Sequence, residues 1–198
     1  MTVRSPSSDV VTSGVSQNQG RIGQPVRVSS YRRVPFDVVS YVQRTRDNSR
    51  RGACFICSIV AGDLDDHMVI RRDDVSVSFL AKAPTLIGYA LLAPLEHRTG
   101  VIGDFTEDEY VDLQRRVHQL GRAVSLAVPT ERLYLLALGS NQGNAHVHWH
   151  VAPLPPGLPY ERQQYAALMQ EHGYLDIPDS DQAALARSIA NHMNRGNP

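Results

Sequence analysis

The chain has 198 residues, 42% of them hydrophobic, and sets 20 lysines and arginines against 20 aspartates and glutamates. That is ample for one domain of roughly 100–150 residues with tails. Zero net charge gives no general affinity for nucleic-acid backbones, and no run reaches the ~18–20 apolar residues of a membrane span, so neither partner is expected.

Residues 1–50 read as an N-terminal extension. They are rich in Arg, Gly, Ser, Gln and Asn, with scattered apolar residues. Such a segment buries too little surface to offset its ordering entropy, so it is expected to be disordered or loosely docked. Val34 to Val42 is the stretch suited to a short docking element. The first 30 residues lack the apolar core of a secretory signal. Their Ser/Arg-rich, acid-poor composition leaves a transit peptide open as a second reading, with cytoplasmic residence the default. The packed domain is expected over 51–158 and a helical extension over 159–198.

The only two cysteines, Cys54 and Cys57, form a Cys-x-x-Cys pair. Without an export signal this spacing points to metal or redox chemistry, because one turn can offer two thiolates to one ion. A redox dithiol and two ordinary buried thiols are the competing readings. Val75 to Phe79 alternates as a half-buried strand, and Leu86 to Pro94 reads as a central strand. Thr106 and Glu109 make a capping box for a helix from about Glu107 to Ala127. Its apolar stripe runs through Tyr110, Leu113, Val117, Leu120 and Val124. Arg132 to Leu138 is a further strand and Gly139 to Asn144 a polar loop. Ala145 to Ala152 is a strand ended by Pro153, with two short helices near Glu161–Glu171 and Asp181–Met193. Together these predict an α+β domain on a mainly antiparallel sheet with one long helix.

The strand Ala145 to Ala152 carries the chemistry. His146, His148 and His150 hold three of the eight histidines. A period of two places them on one face and sends Val147, Trp149 and Val151 to the core. An apolar strand has no packing reason to line one face with histidine. A chance cluster on a solvated face, or histidines satisfied by backbone groups, is the alternative.

His146-Val-His148-Trp-His150-Val-Ala-Pro resembles the His-φ-His-φ-His-φ-φ signature of the histidine-triad (HIT) superfamily, φ being apolar. Cys54 to Asp63 is similar to the N-terminal segment of its zinc-containing bacterial members, and Leu91 to His97 to their strand ending in proline and histidine. The resemblance implies a five-stranded HIT-like sheet and a homodimer. It also implies a nucleotidyl hydrolase or transferase acting at the α-phosphorus of a nucleotide derivative, with no catalytic cofactor. Carried over, His148 is the nucleophile, and His150 and Gln142 complete the catalytic set. Phe79, Tyr89, Asn141, Gly143 and Asn144 fall at substrate-binding positions. Cys54, Cys57, His97 and His146 fall at the ligands of a structural zinc. Three positions depart from the family: Tyr89 where a fourth histidine often stands, Ala81 where a ribose-binding aspartate is common, and Gly143 where Ser or Thr is usual. A non-catalytic nucleotide-binding module on the same fold, or a metalloenzyme using the histidines as ligands, are the alternatives. The metalloenzyme lacks the neighbouring carboxylate such sites use.

Overall fold

The structure, a computed structural model, describes residues 31–64, 68–137 and 145–195. In chain order it contains β1 (Arg33–Val34), α1 (Val38–Arg50), α2 (Phe55–Ala61), β2 (Val69–Arg72), β3 (Ser76–Leu80), β4 (Ala90–Pro94), α3 (Glu107–Ala127), β5 (Arg132–Leu136), β6 (Trp149–Leu154), α4 (Tyr160–Leu168), β7 (Tyr174–Leu175) and α5 (Asp179–Arg195). Five strands form one antiparallel sheet in the order β2-β3-β4-β6-β5, and β1 pairs with β7 in a separate two-stranded ribbon. The fold is α+β, as the element pattern predicts.

The capping box stands as expected. The Thr106 hydroxyl accepts from the Glu109 backbone N–H, and the Glu109 carboxylate accepts from the Thr106 N–H at 2.8 Å. These bonds satisfy two of the orphan donors at the start of α3. The stripe buries Leu113, Val117, Leu120 and Val124 against Leu92, Trp149 and Val151 on one face of the sheet, and α5 packs beside α3 on that face.

Several boundaries differ from expectation, three of them instructively. The central strand begins at Ala90 and not Leu86, because Gly88 takes φ +81 and turns the chain there. A Cβ at that glycine would also come within 3.0 Å of the Val128 side chain. Pro153 lies inside β6 and does not end it. The β4–β6 pairing stops at Val151, so at Pro153 the strand has a neighbour on the β5 side alone, where a missing N–H is tolerated as at a sheet edge. The second C-terminal helix is also longer than expected, running over Asp179–Arg195.

The opposite face of the sheet carries two smaller clusters. At one end Cys54, Ile56 and Ile59 of α2 and its cap pack on Val77, Phe79, Leu91 and Ala93. At the other, Ala167 of α4 packs on Leu86, Tyr89, Ala152 and Leu154. Because His150, Ala152 and Leu154 share one side of β6, the histidines lie on this face, between α2 and α4. Of the N-terminal extension, residues 1–30 lie outside the described residues. The segment around Val34 to Val42 supplies β1 and the start of α1, and the Arg33 guanidinium donates to the backbone oxygens of Gly173 and Thr85 at 2.8 and 3.0 Å.

Candidate functional site

The stretch from His146 to Val151 leaves Val147, Trp149 and Val151 in the helix-side core, each 4% exposed or less. Trp149 is boxed by Phe105 and Tyr110 at ring-centroid distances of 6.2 and 6.1 Å. The alternation therefore anchors the backbone through its apolar partners and presents the histidines on the other face. Regular strand structure begins only at Trp149. Upstream, the Val147 N–H donates to the carbonyl of Arg98 at 2.7 Å. Arg98 is itself held by paired bonds to Glu109 of the capping box, at 2.8 and 2.9 Å, so the start of α3 fixes the chain beside His97. That pairing also holds the Glu109 carboxyl at about 2, well below its ordinary range.

His146 is fully buried. Its Nε2–H donates to the Pro94 carbonyl at 3.0 Å, which leaves Nδ1 unprotonated and aimed at two sulfurs. Cys54 Sγ lies 3.5 Å and Cys57 Sγ 3.6 Å from that nitrogen, and Cys57 Sγ lies 3.2 Å from His97 Nδ1. All four donor atoms fall within 4.8 Å of one another. A tetrahedral zinc with Zn–S of ~2.3 Å and Zn–N of ~2.1 Å has S···N edges of roughly 3.6 Å, so the spacing suits such an ion. The chemistry suits it as well. Burial brings His146 down to about 4 and keeps it neutral, as a ligand must be. Burial and the adjoining Cys54 push the Cys57 thiol up to about 11, a direction a bound cation would reverse. The Pro94 carbonyl is the outer partner that orients a ligating imidazole. It is a backbone atom at the end of β4, and no residue pattern announces it.

His148 stands in a second environment. Its Nδ1–H donates to the His146 carbonyl at 2.7 Å, leaving the Nε2 lone pair available. The His148 and His150 rings lie 4.8 Å apart. Burial lowers the pKa of His148, and burial together with the adjoining His148 takes His150 down to about 3, so both are neutral near pH 7. The phenol of Tyr89 lies 3.1 Å from Nδ1 of His150. This contact joins residues 61 apart in the chain and follows from the β4–β6 register, with Leu91 opposite His150.

Of the expected substrate-binding positions, Phe79 is buried, 1% exposed, with its ring edge-on to Phe55. Ala81 and Tyr89 are neighbours across the β3–β4 hairpin, joined by the Ala81 N–H donating to the Tyr89 carbonyl at 2.9 Å. The two departures thus sit side by side on the histidine face. Asn141, Gln142, Gly143 and Asn144 lie outside the described residues. The wall that α4 contributes next to Tyr89 has no local signature in the chain.

No family model matches the chain. It is 30% identical over 103 residues to an uncharacterised HIT-like protein of Saccharolobus solfataricus, covering 50% of this chain and 73% of that protein. Over 131 residues it is 28% identical to the adenosine 5'-monophosphoramidase of Schizosaccharomyces pombe, covering 60% of this chain and 95% of that protein. Among solved structures it is similar to a Zn-bound histidine triad family protein from Mycobacterium smegmatis. That match has a TM-score of 0.60 at 18% identity, over 74% of this chain and 99% of that one. A hypothetical histidine triad nucleotide-binding protein from Sulfolobus tokodaii strain 7 matches with a TM-score of 0.58 at 21% identity, over 72% and 93% of the two chains. At those identities the structural likeness is one of fold.

Proposed function

The chain belongs to the histidine-triad family, and from that premise we propose that it is a nucleotidyl hydrolase or transferase in which His148 attacks the α-phosphorus of a nucleotide derivative. The observation that carries this reading is the 2.7 Å bond from His148 Nδ1–H to the His146 carbonyl. It commits the proton to Nδ1 and leaves Nε2 as an oriented, neutral nucleophile. An Nε2–P bond forms as the bond from phosphorus to the leaving group breaks. Water, or another acceptor, then attacks phosphorus and releases the imidazole. His150 donates to the phosphoryl group or the leaving atom as charge develops there, and Gln142 is assigned to the phosphoryl or bridging oxygen. The fission-yeast relative named as an adenosine 5'-monophosphoramidase supports a phosphoramidate as the first substrate class to try.

Cys54, Cys57, His97 and His146 would hold a structural zinc, tying α2 to the end of β4 and the start of the triad segment. When bound, it supplies a crosslink and not a reactive group, because four protein ligands close its coordination shell. Asn141, Gly143, Asn144, Tyr89 and Phe79 are assigned to substrate binding, the loop residues on the resemblance alone. A homodimer belongs to the same reading. Edge strand β5, with Leu135 50% exposed, is the observation that invites a sedimentation measurement. Among the described residues no helix is long and apolar enough to cross a membrane.

The test is direct. Protein mixed with adenosine phosphoramidate and with dinucleoside polyphosphates is quenched and its mass measured. A nucleotidyl adduct on His148 is expected, and His148→Ala should abolish both adduct and turnover while the melting temperature holds. Near-wild-type rates in that variant would refute the histidine nucleophile.

A further inference from the structure

His150 has two ring nitrogens, and which of them carries the proton decides whether it can donate toward a phosphoryl group. Tyr89 OH and His150 Nδ1 are 3.1 Å apart, with the two rings set edge-on at 84° and 5.8 Å between centroids. The tyrosine ring is fixed by its neighbours Leu86, Ala152 and Ala167, and only 9% of the residue is exposed. No partner other than this nitrogen is found for the phenol among the described residues.

Two arrangements are conceivable, and chemistry separates them. If His150 Nδ1–H donated to the phenol oxygen, the phenol proton would have no acceptor among the described residues, which costs about as much as a lost hydrogen bond where water is excluded. If the phenol donates to Nδ1, the phenol hydrogen and the Nδ1 lone pair satisfy each other. Burial pushes Tyr89 up to about 12, so the phenol keeps its proton throughout the working pH range.

We propose that Tyr89 is a positioning residue that donates its phenolic hydrogen to Nδ1 of His150 and so locks that imidazole in the tautomer protonated at Nε2. His150 then acts as a neutral donor from Nε2, while His148, protonated at Nδ1, acts as a neutral acceptor from Nε2. The two neighbouring imidazoles hold opposite tautomers, one set by a backbone carbonyl and the other by a side-chain hydroxyl. That division of labour is what in-line attack followed by leaving-group stabilisation requires of two adjacent neutral imidazoles. The catalytic consequence rests on the function proposed above; the tautomer does not.

The test uses the full chain with uniformly nitrogen-15-labelled histidine. Imidazole nitrogen spectra are recorded for the wild type and Tyr89→Phe, with His150 identified from the signals missing in His150→Gln. The wild type should show His150 protonated at Nε2 and bare at Nδ1, and Tyr89→Phe should shift it to a mixture of tautomers, with a melting temperature lowered by no more than about 5 °C. On a substrate that the wild type turns over, Tyr89→Phe should lower kcat about tenfold, the scale of one buried neutral hydrogen bond, with KM held within about twofold. A His150 protonated at Nδ1 in the wild type, or a tautomer unmoved by Tyr89→Phe, overturns the proposal. If the wild type turns over no nucleotide derivative, the proposed function falls, and the spectra decide the tautomer independently.

Discussion

His150 makes folding stability depend on pH in a way that can be worked out beforehand. Burial holds its folded-state pKa at about 3, against ~6.5 for a histidine in the unfolded chain. Between those values the unfolded state binds a proton that the folded state refuses. The contribution is therefore fully present above about pH 6.5 and is lost as pH falls toward about 3. From about pH 7.5 to about pH 5.5 the unfolded imidazole goes from roughly one-tenth to nine-tenths protonated, while the folded one stays neutral. The loss is RT times the logarithm of about ten, or ~1.4 kcal/mol, and it depends little on the folded pKa provided that lies below about 5. The perturbation is His150→Gln, whose side-chain oxygen can still accept from Tyr89. Urea unfolding of both proteins at the two pH values, at matched zinc content, cancels the shared titrations, including those of His146 and His172. The wild type should lose ~1.4 kcal/mol more than the variant on acidification, with m unchanged. Equal losses would mean that His150 already titrates normally in the folded protein, and that the environment assigned to it is wrong.

Two further outcomes are expected. Cys54 is buried and lies 3.5 Å from Nδ1 of His146, so Cys54→Ser should lower zinc content from about one per chain and reduce the melting temperature; wild-type protein that is metal-free at undiminished stability would refute the site. Ala81 lies beside Tyr89, and the resemblance assigns it the position of a ribose-binding aspartate; if that assignment holds, Ala81→Asp should raise kcat/KM for ordinary ribonucleotide derivatives about tenfold, and not for 2′,3′-dideoxy analogues. An equal gain on both substrates would show that Ala81 is not at the ribose.

Much of this protein is written in local patterns. The capping box of α3 and its stripe are set by residues three and four apart, where backbone geometry alone decides which side chains meet, so the helix at Glu107–Ala127 is read correctly to its ends. The period of two from His146 to Val151 likewise assigns histidines to one face and Val147, Trp149 and Val151 to the core, without any knowledge of what lies on either side. Cys-x-x-Cys names two sulfurs that one turn can bring together. Its join to His97 and His146 comes from the resemblance and then from the fold.

What only the tertiary structure decides is who meets whom across the sheet. The β4–β6 register places Leu91 opposite His150 and thereby brings Tyr89, 61 residues earlier, within 3.1 Å of its Nδ1. A slip of one residue would turn that phenol to the helix side, and nothing local to Tyr89 forbids the slip. The Pro94 carbonyl that orients His146 is a main-chain atom, invisible to residue type. Pro153 shows the same limit. As a residue it reads as a strand terminator, yet it continues β6, because whether a missing N–H matters depends on the neighbour facing it. Likewise α4 seals the face beside Tyr89, although its own composition does not say which side of the sheet it will cover. Periodicity reports which side of an element is apolar; the partner of each side is settled when strands and helices compete for the same apolar surface in the folded chain.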